Sequence, residues 1–166
     1  RVDCLGPNTR PARWHRAIYS AQIARGIRAS ETVILVDTNV WSEASKPNAN
    51  RTVGQWLVAH CDELWLSVLV IAEIQAGIEN PAAIAKRDGL EQWLGLLETS
   101  HHERTLPFDR AAAHVLGGLL IRKPPDAKMI DTMLAAQALA QGWPVATRNL
   151  RDFEWTGVDL IDPWEP

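Results

Sequence analysis

Several carboxylates in this sequence stand where ligands bind or where a buried charge is costly. The first is Asp37, which directly follows the apolar run 33–36. A short, β-branched run of this kind is typical of a buried parallel strand. Open α/β sheets bind ligands at the carboxyl ends of their strands, so Asp37 is a candidate functional residue. A polar cap on the turn after the strand is the alternative interpretation.

Two further carboxylates fall on apolar faces of predicted helices. The residues three and four positions from Glu73, in a helix predicted over 68–79, are aliphatic or glycine. Around Asp131 the only polar neighbour at helical spacing is Lys128. A buried carboxylate needs a cation, hydrogen-bond donors or a raised pKa. The alternatives are a solvated helix edge or a salt bridge for Glu73, and an ion pair with Lys128 for Asp131.

A fourth polar cluster, residues 147–152, follows the predicted strand 144–147. Either Asn149 or Asp152 could complete an acidic ring. Oxygen ligands of this kind suit Mg²⁺ or Mn²⁺. Such an ion polarises a phosphoryl oxygen, lowers the pKa of bound water and orients an in-line displacement. The sequence shows no glycine-rich phosphate loop, zinc-ligand spacing or nucleophile-elbow serine.

The elements that would position these side chains alternate along the chain. Strands are predicted at 33–36, 64–66, 104–107, 144–147 and 158–161, and helices at 51–60, 68–79, 82–98, 109–121 and 124–142. Ser67 and Asp109 are predicted helix caps. This alternation predicts an α/β fold with a mostly parallel sheet.

Composition and charge divide the chain in two. It has 166 residues, of which 46 % are hydrophobic, enough for one domain with a substantial core. Residues 1–32 carry six arginines and two acids, a charge of +4, and the remainder carries −7. We interpret 1–32, with a predicted helix at 13–28, as an Arg-rich N-terminal extension outside the native functional domain, which we place at 33–166. An organelle transit peptide is an alternative interpretation of the extension.

The same composition indicates a cytoplasmic protein. Its two cysteines, Cys4 and Cys61, form neither a disulfide framework nor a metal knuckle. The longest apolar stretch, 64–72, is far shorter than the roughly 18 residues of a membrane span. We therefore expect no membrane association.

The order and spacing of the motifs resemble PIN-domain ribonucleases, in particular toxins of the VapBC and FitAB type. The matching segments are 33–43 (VILVDTNVWSE), 66–77 (LSVLVIAEIQAG), 106–109 (LPFD), 130–138 (IDTMLAAQA), 145–153 (VATRNLRDF) and 158–164. The resemblance implies a parallel sheet of about five strands between helices, a PIN-like α/β/α sandwich. It also implies an Mg²⁺-dependent endoribonuclease, with Mn²⁺ as an alternative ion, that acts as a toxin. The implied partners are RNA, a second copy of the chain and a cognate antitoxin, in a higher toxin–antitoxin complex.

The resemblance also assigns roles by motif position. It makes Asp37 and Asp131 the principal metal ligands and Glu73 a third acid. Many relatives have Asp at the position of Asn149. Asp152 is the nearest carboxylate here, so Asp152 is taken as the fourth ligand and Asn149 as a supporting one.

Other polar side chains are assigned to the surroundings of the metal. Thr38 and Asn39 are expected to orient the first aspartate, and Thr147 to position water or phosphate. Three cations are candidates for binding phosphates, with ordinary solvated surface charge as the alternative: Lys46, Arg148 and Arg151.

Three rival functions remain open at this stage. A phosphatase of the haloacid-dehalogenase type would need a second aspartate two residues after Asp37, where this chain has Asn39. A non-catalytic PIN-like module would bind protein alone. A metal-free ribonuclease would use histidine and the RNA 2′-hydroxyl. The sequence leaves open the RNA target and whether one or two metal ions bind.

Overall fold

The computed structural model describes residues 32–166. The predicted helix at 13–28, and the Arg-rich extension apart from its last residue, lie outside the described residues. The division of the chain at residues 32 and 33 therefore stays a prediction.

A single sheet of five parallel strands carries the fold. The strands are β1 (Ile34–Val36), β2 (Leu64–Ser67), β3 (Thr105–Leu106), β4 (Val145–Ala146) and β5 (Leu160–Ile161). Their order is β3-β2-β1-β4-β5, so the most apolar strand is central. In register, Leu35 lies opposite Trp65 on one side and Val145 on the other. This sheet confirms the predicted α/β class with five parallel strands.

Helices flank the sheet. Residues 32–166 contain α1 (Thr38–Ser45), α2 (Arg51–Ala59), α3 (Val68–Glu79), α4 (Arg87–Ser100), α5 (Arg110–Arg122), α6 (Met129–Gln141) and α7 (Leu150–Glu154), with short 3₁₀ helices at Pro81–Lys86 and His102–Arg104. No single helix in this part of the chain is long and apolar enough to cross a membrane. One bent pair, Val68–Glu79 with Pro81–Ser100, meets the length and composition requirements together.

Local sequence explains where several helices begin and end. The side chains of Asp37, Asn50, Ser67 and Asp109 each accept a hydrogen bond from a backbone N–H of the helix that follows. Gly142 ends α6 with a positive φ of 69°, a conformation that glycine adopts without steric cost. The predicted caps at Ser67 and Asp109 and the predicted stop at Gly142 are confirmed.

A buried polar contact fixes α6 against the sheet. Ser67 Oγ donates to Gln137 Oε1 at 2.6 Å, and Gln137 Nε2 donates to the Leu106 carbonyl at 3.2 Å. Gln137 is 1 % exposed, so these bonds form away from water. They tie α6 to β2 and β3, and they set the position of Asp131 earlier on the same helix.

Four local predictions were wrong or incomplete. No helix was predicted at Thr38–Ser45, because its β-branched and short polar residues have low helix propensity. The Asp37 cap and the burial of Trp41, which is 1 % exposed, stabilise α1 instead. The predicted helix 82–98 is divided at Arg87, the one predicted from Pro124 starts at Met129, and α7 was not predicted.

Candidate active site

The predicted acids lie near one another at the carboxyl ends of the central strands. Asp37 directly follows β1, and Thr147 directly follows β4, the parallel neighbour of β1. Glu73 comes from α3, which starts where β2 ends, and Asp131 and Asp152 come from α6 and α7. Because parallel strands end at the same edge of a sheet, residues distant in sequence share one site.

Asp37 is held by three donors and is almost completely buried. It accepts hydrogen bonds from the Thr38 backbone N–H at 2.6 Å, Asn39 Nδ2 at 2.5 Å and Thr147 Oγ1 at 2.7 Å. Only 4 % of the residue is exposed. Burial raises the pKa of Asp37 to about 6; the Thr147 hydrogen bond opposes this rise, and the charge of Asp131 adds to it. The carboxylate therefore keeps its charge at neutral pH at a cost in free energy.

Thr38 connects Asp37 to the second acid. Its hydroxyl donates to Glu73 Oε2 at 2.5 Å, while its backbone N–H donates to Asp37. Asn39 makes a similar link on the other side, since its amide also donates to Thr147 Oγ1 at 3.0 Å. Three of the residues predicted to support the site, Thr38, Asn39 and Thr147, are thus in contact with its carboxylates or with each other.

Asp131 is a buried carboxylate with an incomplete set of partners. The residue is 7 % exposed, and its Oδ2 atom is inaccessible to solvent and accepts no hydrogen bond. Lys128 Nζ lies 3.5 Å from this atom, which is an ion pair rather than a hydrogen bond. Burial raises the pKa of Asp131, the charge of Lys128 counteracts the rise, and the charges of Glu73 and Asp152 reinforce it.

Lys128 also contacts the fourth acid. Its Nζ donates to Asp152 Oδ2 at 3.3 Å, so the ammonium group lies between two carboxylates. The charge of Asp131 and the hydrogen bond to Asp152 raise the pKa of Lys128. The sequence indicated the ion pair of Lys128 with Asp131 but not its contact with Asp152. The sequence carried no signal for this contact, because the helix was predicted from residue 124 and the structure starts it at Met129, directly after Lys128.

The two candidates for the fourth ligand are placed differently. Asp152 is half-buried and is joined to Asp131 through Lys128. Asn149 is exposed and precedes α7 without a side-chain capping bond. Its backbone N–H donates to Thr147 Oγ1 at 3.0 Å, and its carbonyl accepts from the Asp152 backbone N–H at 3.0 Å.

The three phosphate-binding candidates also differ. Lys46 pairs with the buried Glu43 at 2.6 Å, and Glu43 also accepts from the Asn50 backbone N–H. These contacts lower the pKa of Glu43 although burial opposes them, and they tie Lys46 to the loop after α1. The guanidinium of Arg148 lies 5.3 Å from the centre of the Trp164 ring. An open groove of about 480 Å³ next to the site is lined by Arg148, Asn149, Leu150, Arg151, Asp152 and Glu154.

The donor set fits a hard cation, although the side chains are not arranged as ready-made ligands. Within residues 32–166, no three His, Cys, Asp or Glu side chains converge closely enough to hold a metal ion. Asp37, Glu73 and Asp152 accept hydrogen bonds from donors of the chain itself, namely Thr38, Asn39, Thr147 and Lys128, whereas Asp131 is ion-paired with Lys128. However, Asp131 Oδ2 is buried without a donor, and the negative charges of Glu73 and Asp152 repel that of Asp131. The chemistry of this all-oxygen set is suited to Mg²⁺ or Mn²⁺.

The chain is similar in sequence and in fold to several known proteins. The sequence model of the PIN domain family matches residues 34–157. The VapC ribonuclease Y4jK of Sinorhizobium fredii is 37 % identical over 81 % of this chain and 99 % of its own length. Toxin FitB of Neisseria gonorrhoeae is 31 % identical over 80 % of this chain and 99 % of its own length. The crystal structure of FitAcB from the same organism superposes with a TM-score of 0.71 at 28 % identity, covering 81 % of this chain and 100 % of the solved one.

Proposed function

The chain belongs to the PIN-domain family, and on this premise we propose that it is a metal-dependent endoribonuclease and the toxin of a toxin–antitoxin pair. One observation carries the proposal: four carboxylates from different elements interact at one edge of the sheet, and one of them, Asp131, has a buried oxygen without a donor. The printed names of two relatives, a VapC ribonuclease and toxin FitB, support the ribonuclease and toxin assignments.

The proposed metal is Mg²⁺, with Mn²⁺ as an alternative. We assign Asp37 and Asp131 as its principal ligands, and Glu73 and Asp152 as the acids that complete the site. When bound, the ion supplies Lewis-acid polarisation of the scissile phosphate and activation of a water molecule. The chain's contribution is to hold these acids close together in spite of their mutual repulsion.

The supporting residues fix the direction of the carboxylates. Asn39 and Thr147 bind the same oxygen of Asp37, and Thr38 binds its other oxygen. The Thr38 hydroxyl restricts Glu73 at the same time. A site whose ligands are already oriented reorganises less when the phosphate enters.

The groove beside α7 is the proposed entry for the RNA backbone. Arg148 and Arg151 line it next to Asp152 and are the cations proposed to contact phosphates. Lys46 is a weaker candidate because it is committed to Glu43. The charge of −7 on the sequence after residue 32 means that RNA binding would depend on such local cations and not on a generally basic surface.

Protein partners are the second part of the proposal. We propose a cognate antitoxin and a homodimer, as the family resemblance implies. The exposed apolar side chains Ile84 and Ile121, which are 70 % and 92 % accessible, are the kind of surface that association would cover.

The chemistry of the RNA ends tests the proposed mechanism. Attack of a water oxygen on phosphorus with cleavage of the P–O3′ bond leaves a 5′-phosphate on one fragment and a 3′-hydroxyl on the other. We therefore expect 5′-phosphorylated fragments, and continued cleavage when the scissile nucleotide is 2′-deoxy. End labelling and mass spectrometry of the fragments measure this. Cyclic 2′,3′-phosphate ends, or a block by the 2′-deoxy substitution, would instead indicate the histidine-dependent, metal-free alternative.

A further inference from the structure

The ammonium group of Lys128 lies between two of the four acids, 3.3 Å from Asp152 Oδ2 and 3.5 Å from Asp131 Oδ2. We propose that Lys128 takes the place of a second divalent cation, so that the acidic site binds one metal ion. The inference rests on the proposed function, because it concerns the number of ions at the same site.

The position of Lys128 in the fold is unfavourable for its own helix. It stands at the N-cap of α6, where it makes no side-chain capping bond. The N-cap positions of α1, α2, α3 and α5 carry Asp, Asn or Ser side chains that do cap, whereas Lys86 at the N-cap of α4, like Lys128, makes no capping bond. A cation at this end also opposes the helix dipole. Lys128 therefore gives α6 no capping bond, and the contacts that its ammonium group makes are with Asp131 and Asp152.

The geometry matches the place of a bridging cation. In two-metal nuclease sites, ions about 3.5–4 Å apart share carboxylate ligands. Here Asp131 and Asp152, two of the four acids that could share a second ion, are joined by an ammonium group. Because 61 % of the Lys128 side chain is exposed, the charge reaches the site from the solvent side without being buried.

The charge balance leads to the same conclusion. Four carboxylates, the Lys128 ammonium and one divalent ion leave a single net negative charge. A second divalent ion would give the site a net positive charge while Lys128 remains in place. Without Lys128, two divalent ions would neutralise the four acids. Asp37, Asp131, Glu73 and Asp152 would supply the oxygen ligands of this one ion, and water would complete its coordination.

A count of bound Mn²⁺ tests this inference without measuring activity. The whole chain is titrated with Mn²⁺, and the free ion is followed by electron paramagnetic resonance. Lys128→Met removes the charge and keeps the length of the side chain, while Lys128→Arg keeps the charge. Lys86→Met is the matched control, because this lysine is exposed in the 3₁₀ helix that follows α3 and has the same charge. Thermal unfolding of each variant verifies that it is folded.

We expect one Mn²⁺ per chain for the unchanged protein, Lys128→Arg and Lys86→Met, and two for Lys128→Met. Two ions in the unchanged protein, or one in Lys128→Met, would overturn the role of Lys128 and leave the metal site intact. If Lys128→Met bound Mn²⁺ and the other three proteins did not, the role would also be overturned. Lys128 would then compete with the first ion for the acids. No binding by any variant would contradict the proposed function itself.

Discussion

Replacing Asp131 with asparagine lowers RNA cleavage by about a thousandfold or more, equivalent to roughly 4 kcal/mol of transition-state stabilisation. The substitution keeps the size of the side chain and removes the charge of a buried carboxylate proposed to bind the metal. Asparagine has one carbonyl oxygen in place of two anionic ones, so the metal loses its ligand and part of its electrostatic attraction. Initial rates on a labelled RNA at saturating Mg²⁺ measure the effect.

Asp159→Asn is the matched control for this variant. Asp159 is exposed and precedes β5, so it lies at the opposite end of the parallel sheet from the acidic site. Its cleavage rate is expected to stay within about twofold of the unchanged chain, since exposed substitutions far from a site have small effects. An Asp131→Asn rate within tenfold of the unchanged chain would contradict the assignment of Asp131 as a principal ligand.

Replacing Asp37 with asparagine inactivates the protein but stabilises its fold. The free energy of unfolding rises at pH 7.5. Burial raises the pKa of Asp37 from 3.8 to about 6 in the folded chain. A folded-state pKa above the unfolded value means that the charged form is disfavoured by folding. The contribution of protonated Asp37 to the free energy of unfolding is fully present below pH 3.8 and is lost as the pH rises through about 6. The loss amounts to about 3 kcal/mol.

Asparagine avoids this cost but loses some of the hydrogen bonds that Asp37 accepts. We expect a net gain of about 1–2 kcal/mol at pH 7.5 in metal-free buffer. The gain becomes smaller as the pH is lowered to 5, where the unchanged chain regains a proton. Thermal unfolding of both proteins at the two pH values measures this, with Asp159→Asn as the control. A lower melting temperature for Asp37→Asn at both pH values would show that the hydrogen bonds outweigh the burial of the charge.

The strands and the positions of the acids could be predicted from local sequence. The apolar run 33–36 identified the central strand, and Asp37 at its end marked the site edge. Acids on apolar helix faces identified Glu73 and Asp131, because hydrophobic periodicity is a local property. Caps such as Ser67 were predictable for the same reason.

The contacts between distant segments could not be predicted in this way. Helix α1 forms in spite of weak propensity because Trp41 is buried in the tertiary structure. The choice between Asn149 and Asp152 depends on where Lys128 reaches across from α6, a contact between residues 24 positions apart. The link from Thr38 to Glu73 likewise depends on how α1 and α3 pack. None of these interactions leaves a periodic pattern in the sequence.

Cleavage of total cellular RNA by the purified chain tests the central claim most directly. The reaction is run with Mg²⁺ and with EDTA, beside an Asp37→Ala Asp131→Ala double variant whose folding is verified by circular dichroism. We expect discrete fragments that require both the metal ion and the two aspartates, and their sequence would also identify the RNA target. Cleavage that persists in EDTA or in the double variant would contradict the metal mechanism. No cleavage by the unchanged chain, together with no Mn²⁺ binding, would favour a protein-binding module in place of a nuclease.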